Sequence, residues 1–171
     1  MSVVRVQEAD FDLGAEIAAL RAGRPQIGAV ASFIGTVRDI NEGSGVSGME
    51  LEHYPGMTEK ALANIADAAM RRWDLIDALV IHRVGKLTPE DQIVLVAVAS
   101  THRGEAFAAC EFIMDYLKSE APFWKKEQTE QGARWVDARV TDDRALARWG
   151  IVTDNASAAT AQAASTDNAK G

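Results

Sequence analysis

The feature that most narrows the fold is a pair of long apolar segments in mid-chain, LIDALVIHRVG and QIVLVAVAS, joined by the turn-like KLTPED. Both segments are rich in Val and Ile, which favour strands. They predict a hairpin of two strands with a long loop. An earlier segment, IGAVASFIGTVRD, is too apolar for an exposed loop and predicts a third, largely buried strand.

Two long segments carry the apolar spacing of helices. The first follows Thr58, a predicted N-cap, and its apolar positions are Leu62, Ile65, Ala69 and Trp73. The second runs from about His102 to Lys118, and Pro122 ends it because proline neither continues a helix nor tolerates helical geometry before it. Cys110 lies on the apolar stripe of the second helix, so we predict a core residue rather than a reactive thiol.

The remaining segments complete an α+β pattern. VVRVQ and MELEHY predict strands, DLGAEIAALRAG predicts a helix, FWKKEQ and ARWVDARV predict a strand pair, and DDRALARW predicts a last helical turn. We expect an α+β domain over residues 1–150 with a mainly antiparallel sheet, two long helices and a small β subdomain. Residues 151–171 are small, polar and of low complexity, and we expect them to be disordered.

Composition excludes several classes of protein. The net charge of −7 argues against general binding to nucleic acid or anionic membranes, which requires excess Lys and Arg. No apolar run is long enough to span a bilayer, and the N-terminus lacks a signal-peptide pattern, so we expect a cytoplasmic protein. One cysteine allows no internal disulfide, and the three histidines show no metal-binding spacing, so neither a metal nor a cofactor is expected.

A G-x-G-x-x-G pattern occurs at Gly43, Gly45 and Gly48. A dinucleotide fingerprint requires the glycines to open a helix, whereas the next segment alternates like a strand. We therefore predict a mobile hairpin loop over residues 43–48, of open role.

Cations near predicted element ends are candidates for an anion site. His102 and Arg103 lie at a helix N-terminus, where the helix dipole favours a bound anion. The alternative is that Arg103 pairs with a surface carboxylate and His102 only caps the helix. Arg38 follows a buried strand, where either a ligand contact or a solvated terminus is expected. The residues alone leave both alternatives open.

The segment LKSEAPFWKKE contains two lysines around the helix stop. Lys118 lies at a helix C-terminus, which favours any cation, so an ordinary structural role is a sound interpretation. Lys125 follows Phe123 and Trp124, and aromatic shelter would remove hydration from its ammonium group and favour acid, base or nucleophilic chemistry. Lys126 faces the opposite side of a strand and provides a comparison.

Five segments in order, ASFIGTVRD, LEHYPGM, IHRVGKL, STHRGEAF and LKSEAPFWKKE, resemble the catalytic large subunit of molybdopterin synthase from about residue 3 to Trp149. The resemblance implies an α/β hammerhead-like fold and the conversion of cyclic pyranopterin monophosphate (precursor Z) into molybdopterin. It implies that two dithiolene sulfurs arrive on the thiocarboxylated C-terminal glycine of a small ubiquitin-like subunit. It also implies a heterotetramer, in which a central homodimer of large subunits carries one small subunit at each end.

The resemblance also assigns roles to residues of this sequence. It implies that Lys118 and Lys125 are catalytic and that Glu127 and Arg139 give structural support, while which lysine is acid and which is base stays open. The implied substrate-binding residues are Arg38, His102, Arg103, Phe33 and Met114. A rival function is a noncatalytic dimeric scaffold that docks a ubiquitin-like partner.

Overall fold

The computed structural model describes residues 2–41, 43–136 and 140–151. In that part of the chain no helix is long and apolar enough to cross a bilayer. The elements follow in this order: β1 (Ser2–Gln7), α1 (Leu13–Arg21), β2 (Ala29–Thr36), β3 (Ile40–Asn41), β4 (Ser44–His53), α2 (Met57–Arg72), β5 (Leu75–Arg83), β6 (Gly85–Leu87), β7 (Gln92–Ser100), α3 (Arg103–Glu120), β8 (Phe123–Thr129), β9 (Gly132–Val136) and α4 (Val140–Ala147).

The first sheet has the strand order β1-β5-β7-β2. β5 and β7 form the predicted antiparallel hairpin, β2 pairs antiparallel with β7, and β1 pairs parallel with β5. Val80, Val96 and Val98 pack in one cluster with apolar residues of α2 and α3. Leu79 and Leu95 pack with residues of α1 in another. Covering on both faces explains the continuous apolar character of these strands, and it confirms the predicted strands.

The second sheet is antiparallel, with the order β3-β4-β8-β9 and with β6 also paired to β4. β6 lies in the connection between β5 and β7, so the long hairpin loop of the first sheet contributes a strand to the second. The predicted pair of strands after Pro122 is confirmed as β8 and β9. Together the two sheets and four helices of the described residues confirm the α+β class and the small second β-sheet region.

The prediction of a loop over residues 43–48 was wrong for residues 44–48, which begin β4. Only Gly43 lies in the turn, at φ 78°, where glycine avoids the strain of the left-handed region. Gly48 is paired within β4, and a Cβ there would approach the carbonyl oxygen of Leu87 to 3.2 Å. The close approach of β6, which no local pattern reveals, explains a glycine inside this strand.

Thr58 does not cap α2, because Gly56 is the N-cap and its N–H donates to the Glu59 carboxylate at 2.6 Å. Thr58 instead lies fully buried in the first turn. Its hydroxyl accepts from the N–H of Tyr54 at 3.0 Å and donates to the carbonyl of Pro122 at 3.1 Å. The side chain therefore joins α2 to the turn between α3 and β8.

The second long helix, α3, extends two residues beyond its predicted end and stops before Pro122. Cys110 is buried on α3, and burial raises the pKa of its thiol to about 11, with a smaller contribution from Glu111. This confirms the predicted core role. Arg139 and all but the first residue of the predicted tail, 151–171, lie outside the described residues, so both predictions stay predictions.

Candidate active site

A cavity of about 370 Å³ lies where β2, β5 and β7 of the first sheet meet β4, β8 and β9 of the second, at the C-terminal end of α3. Its volume is in the range of small-molecule sites. Apolar side chains from both sheets form much of its wall. The polar and aromatic residues of the wall include Phe33, Arg38, His82, Lys118, Phe123 and Lys125.

Lys118 and Lys125 reach the same cavity from different elements. Lys118 lies in the last turn of α3, where the helix dipole stabilises a cation. Pro122 follows the helix end, and β8 then starts at Phe123 and returns along β4. The turn at Pro122 thus places two cations that are seven positions apart in sequence at the wall of one cavity.

Lys125 is held by a buried carboxylate rather than by an aromatic shelter. Its Nζ lies 2.8 Å from Oε1 of Glu127, which is only 1% exposed. Trp124, expected to shelter Lys125, points to the opposite face of β8 and packs edge-on against Tyr54 at 4.6 Å between ring centroids. Side chains alternate across a strand, so of the two preceding aromatics only Phe123 shares the face of Lys125.

Glu127 is the centre of a polar network between β3, β8 and β9. The Asn41 amide donates to Oε1 at 2.8 Å, and the Arg134 guanidinium lies 3.3 Å from Oε2. Burial alone would raise the pKa of this carboxyl, but the hydrogen bonds from Lys125, Asn41 and Arg134 outweigh it, and the pKa is lowered. A carboxylate at this position stays charged and fixes the direction of Lys125.

Asn41 extends this network toward the cavity. Its side-chain oxygen accepts a hydrogen bond from Arg38 at 3.4 Å, while its amide donates to Glu127. The backbone carbonyl of Asn41 accepts from Arg134 at 3.2 Å. Sequence reasoning missed Asn41, because it lies beside the glycine-rich segment and only the pairing of β3 with β4 brings it to Glu127.

Lys126 lies on the face of β8 opposite Lys125, as strand alternation predicts. Its ammonium lies 5.5 Å from the ring centroid of Trp135, in a cation–π contact. Lys126 does not line the cavity. The two adjacent lysines are both cationic and both lie on β8, but only Lys125 lines the cavity.

Within one chain, His102 and Arg103 are remote from the other predicted site residues. They begin α3, whereas Lys118 lies near its end, about 22 Å away along the axis at 1.5 Å per residue. Both are exposed, and neither lines the cavity. The structure brings together Phe33, Arg38, Lys118 and Lys125 but leaves the other two cations apart.

Phe33 and Met114 mark a groove next to the cavity. Phe33 is 43% exposed and borders both spaces, as does Lys118. Met114 is buried on α3 and lines the groove together with the exposed Phe107. Met114, predicted to be a site residue, therefore lines the neighbouring groove and does not line the cavity itself.

His82 is a cavity residue that the sequence analysis missed, because no local pattern marks it except as one of three histidines without metal-binding spacing. It lies near the end of β5 with its ring stacked on Phe123, at 3.8 Å between centroids and 19° between planes. Its Nδ1 lies 2.8 Å from the carbonyl oxygen of Arg83. The available signal was a histidine at the end of an otherwise apolar strand, IHRVG. Among the described residues, no group of three or more His, Cys, Asp or Glu side chains could hold a metal ion.

Comparison with known proteins places these features in a family. The family model described as MoaE protein matches residues 6–120. The chain is 92% identical over 168 residues to the molybdopterin synthase catalytic subunit of Ralstonia nicotianae, which covers 98% of this chain and 96% of that protein. The region aligned with this relative therefore includes Lys125 and Glu127, which lie beyond the residues matched by the family model.

Solved structures show the same similarity. The molybdopterin biosynthesis MoaE protein from Burkholderia ambifaria is 66% identical, with a TM-score of 0.77, covering 88% of this chain and 99% of that one. The structure of molybdopterin synthase from Staphylococcus aureus is 33% identical, with a TM-score of 0.71, covering 77% of this chain and 95% of that one.

Proposed function

The chain belongs to the MoaE protein family, and from that membership we propose that it is the catalytic subunit of molybdopterin synthase. The proposed reaction transfers sulfur from the thiocarboxylated C-terminal glycine of a small ubiquitin-like subunit to cyclic pyranopterin monophosphate. The observation that carries this proposal is the convergence of Lys118, Lys125 and Arg38 on one cavity. Three cationic side chains suit a site that receives an anionic thiocarboxylate and an anionic phosphate.

In this proposal the partner's C-terminal tail enters the cavity and its thiocarboxylate lies against Lys118. Lys118 orients and polarises the thiocarboxylate, because an ammonium group stabilises negative charge that develops during transfer. Lys125, directed by Glu127, assists proton transfer as sulfur adds and the cyclic phosphate opens. Arg38 contacts the phosphate, and Asn41 connects Arg38 to the carboxylate that holds Lys125.

Assays with thiocarboxylated partner and cyclic pyranopterin monophosphate test the assignment. Lys118→Ala is expected to lower product formation at least about 100-fold, since it removes a charge that acts in the transition state. Lys126→Ala is the matched control, because it removes a lysine from the opposite face of the same region and is expected to retain activity. Equal activity of the wild type and both variants would contradict the proposal. Partner binding without turnover in the wild type would favour the scaffold alternative.

We further propose that the working unit contains a homodimer and that a second copy brings His102 and Arg103 to the cavity. Within one chain these residues begin α3 about 22 Å from Lys118, too far for both groups to contact one small substrate. A symmetric dimer that places the start of one α3 near the end of the other would complete two equivalent sites.

Mixed dimers test this arrangement. If sites are shared between copies, Lys118→Ala and Arg103→Ala chains, each inactive alone, form mixed dimers with one intact site. Random mixing then restores roughly a quarter of wild-type activity, since about half of the dimers are mixed and each has one working site of two. No recovery, in samples whose mixed dimers are verified by mass spectrometry, would contradict a shared site.

A further inference from the structure

His82 occupies a fixed position in the cavity wall. It is 5% exposed, and its ring is stacked on Phe123, which itself starts β8 beside the turn at Pro122. The stacking restricts rotation about χ2, and the neighbouring backbone contact sets which ring edge faces inward. His82 shares the cavity with Lys118 and Lys125 but has no part in the sulfur transfer described above.

The hydrogen bond at Nδ1 determines the tautomer of His82. A carbonyl oxygen only accepts hydrogen bonds, so the contact of 2.8 Å with Arg83 assigns the ring proton to Nδ1. Nε2 then carries a lone pair. Among the described residues nothing donates to Nε2, and this atom is not among the side-chain atoms that are both sealed from solvent and unpartnered. Nε2 is therefore an available acceptor with access to the cavity.

The ring stays neutral at physiological pH. Burial lowers the pKa of His82 to about 4, and the positive charge of Lys118 and the nearby His53 act in the same direction against the opposing effect of the Arg83 hydrogen bond. A neutral imidazole with Nδ1 protonated accepts at Nε2 and does not donate there. Its hydrogen-bonding character is therefore the reverse of that of the lysines around it.

This difference matters for a ligand with many N–H groups. Lys118, Lys125 and Arg38 are donors and match anionic oxygens, but they offer nothing to a ring N–H. Ser119 also lines the cavity, but its hydroxyl is sealed from solvent and so offers no acceptor to a ligand there. A reduced pterin has lactam, amino and ring N–H donors, each of which is costly to bury without an acceptor.

We propose that His82 binds the pterin substrate by accepting a hydrogen bond from one of its N–H groups at Nε2, and that it thereby orients the pterin beside Lys118 and Lys125. This inference rests on the proposed function, because it takes the pterin monophosphate as the occupant. The phosphate end contacts Arg38, while the N–H edge of the ring lies against His82. Recognition of the two ends of the substrate is thus divided between charged and neutral side chains.

Steady-state kinetics of His82→Asn test the proposal. The asparagine amide retains a donor near Nδ1 for the Arg83 carbonyl and removes the acceptor at Nε2. We expect the KM for the pterin to rise roughly tenfold, the loss of about one hydrogen bond, with an unchanged KM for the thiocarboxylated partner. His53→Asn is the matched control, since the His53 ring lies 3.7 Å from the Glu59 carboxylate and does not line the cavity. An unchanged pterin KM, or an increase confined to the KM for the partner, would overturn the proposal.

Nitrogen NMR of the ¹⁵N-histidine-labelled wild type tests the same proposal without a substitution, so the result does not depend on whether a variant folds. The free protein is expected to show His82 with protonated Nδ1 and unprotonated Nε2, and adding the pterin monophosphate alone should shift the Nε2 resonance. A protonated Nε2, or no shift at saturating pterin, counts against His82. If the wild type shows the shift but makes no product with the thiocarboxylated partner, the sulfur-transfer proposal fails while the binding role of His82 stands.

Discussion

The two sheets of the molecule bury different kinds of side chain. The central strands of the first sheet, β5 and β7, are covered on both faces by helices, and most of their buried residues are apolar. The polar exceptions, Asp77, His82 and Ser100, lie toward the strand ends. The second sheet buries an inner face that includes Met49 and Leu51, but on the same face it buries Glu127 among polar and cationic partners. Apolar burial stabilises a sheet without directing any one group, whereas a satisfied buried carboxylate fixes the positions of its donors.

This contrast implies a division between stability and activity. Substitutions of the buried apolar residues of the first sheet should lower the free energy of unfolding and leave the chemistry of each folded molecule intact. Substitutions around Glu127 should reduce activity more than stability. His82 combines the two kinds of position, because it lies near the end of β5 in the first sheet and faces the cavity that the second sheet completes.

The largest effect is expected from Leu95→Ala in β7. Leu95 is fully buried, so its truncation should lower the free energy of unfolding by about 2–5 kcal/mol through lost burial and the cavity left behind. Urea unfolding measures this loss, and product formation per folded molecule should stay near that of the wild type. A comparable loss of stability from Phe107→Ala, an exposed position on α3, would remove the distinction between core and surface.

The second largest effect is expected from lowering the pH, which should reduce the free energy of unfolding. The folded-state pKa of His82 is depressed from 6.5 to about 4, so protons bind the unfolded chain first as the pH falls. Stability is therefore lost from about pH 6.5 down to about pH 4, by about 3 kcal/mol in total. The pKa of Glu127 lies below its ordinary value, because the hydrogen bonds from Lys125, Asn41 and Arg134 outweigh the effect of burial.

Urea unfolding at a series of pH values measures the slope of stability with pH. His82→Asn should remove most of the slope between pH 6.5 and 4, whereas His53→Asn should leave it in place. An unaltered slope in His82→Asn would assign acid destabilisation to other groups.

Glu127→Gln should change activity more than stability. The amide keeps the size of the side chain but loses the charge that holds Lys125 and Arg134, so kcat/KM for sulfur transfer should fall about tenfold. The unfolding free energy should change by only about 1 kcal/mol, because the cationic partners are partly exposed. Glu130→Gln, at an exposed position in the turn between β8 and β9, is the control. A larger loss of stability than of activity would show that Glu127, like the buried apolar residues of the first sheet, mainly stabilises the fold.

The smallest effect is expected from removing residues 152–171. The sequence predicts that this low-complexity segment lies outside the folded domain, so truncation should change the unfolding free energy by less than about 0.5 kcal/mol. Sulfur transfer should also be unchanged. A clear loss of activity with unchanged stability would give the tail a part in partner or substrate binding.

Elements whose signal is local were predictable from the sequence. The apolar runs of β5 and β7 require burial on both faces, the helical spacing before Lys118 requires a helix, and Pro122 requires its end. Cys110 was identified as a core residue for the same reason, since its position follows from the helical stripe. The resemblance to the family then singled out Lys118 and Lys125 as residues of one site.

Features that depend on distant partners were decided by the tertiary structure. The sequence placed Lys125 among aromatics, but the Glu127 carboxylate holds it. Asn41 donates to that carboxylate only because β3, β4 and β8 pair. His82 became a cavity residue through its stacking on Phe123, which is remote in sequence. Local propensity and periodicity act over a few neighbouring residues, and they determined the elements of this chain. The environment of a charged or titratable group depends on whatever the fold brings within hydrogen-bonding distance, so the site itself was set by the packing of the two sheets.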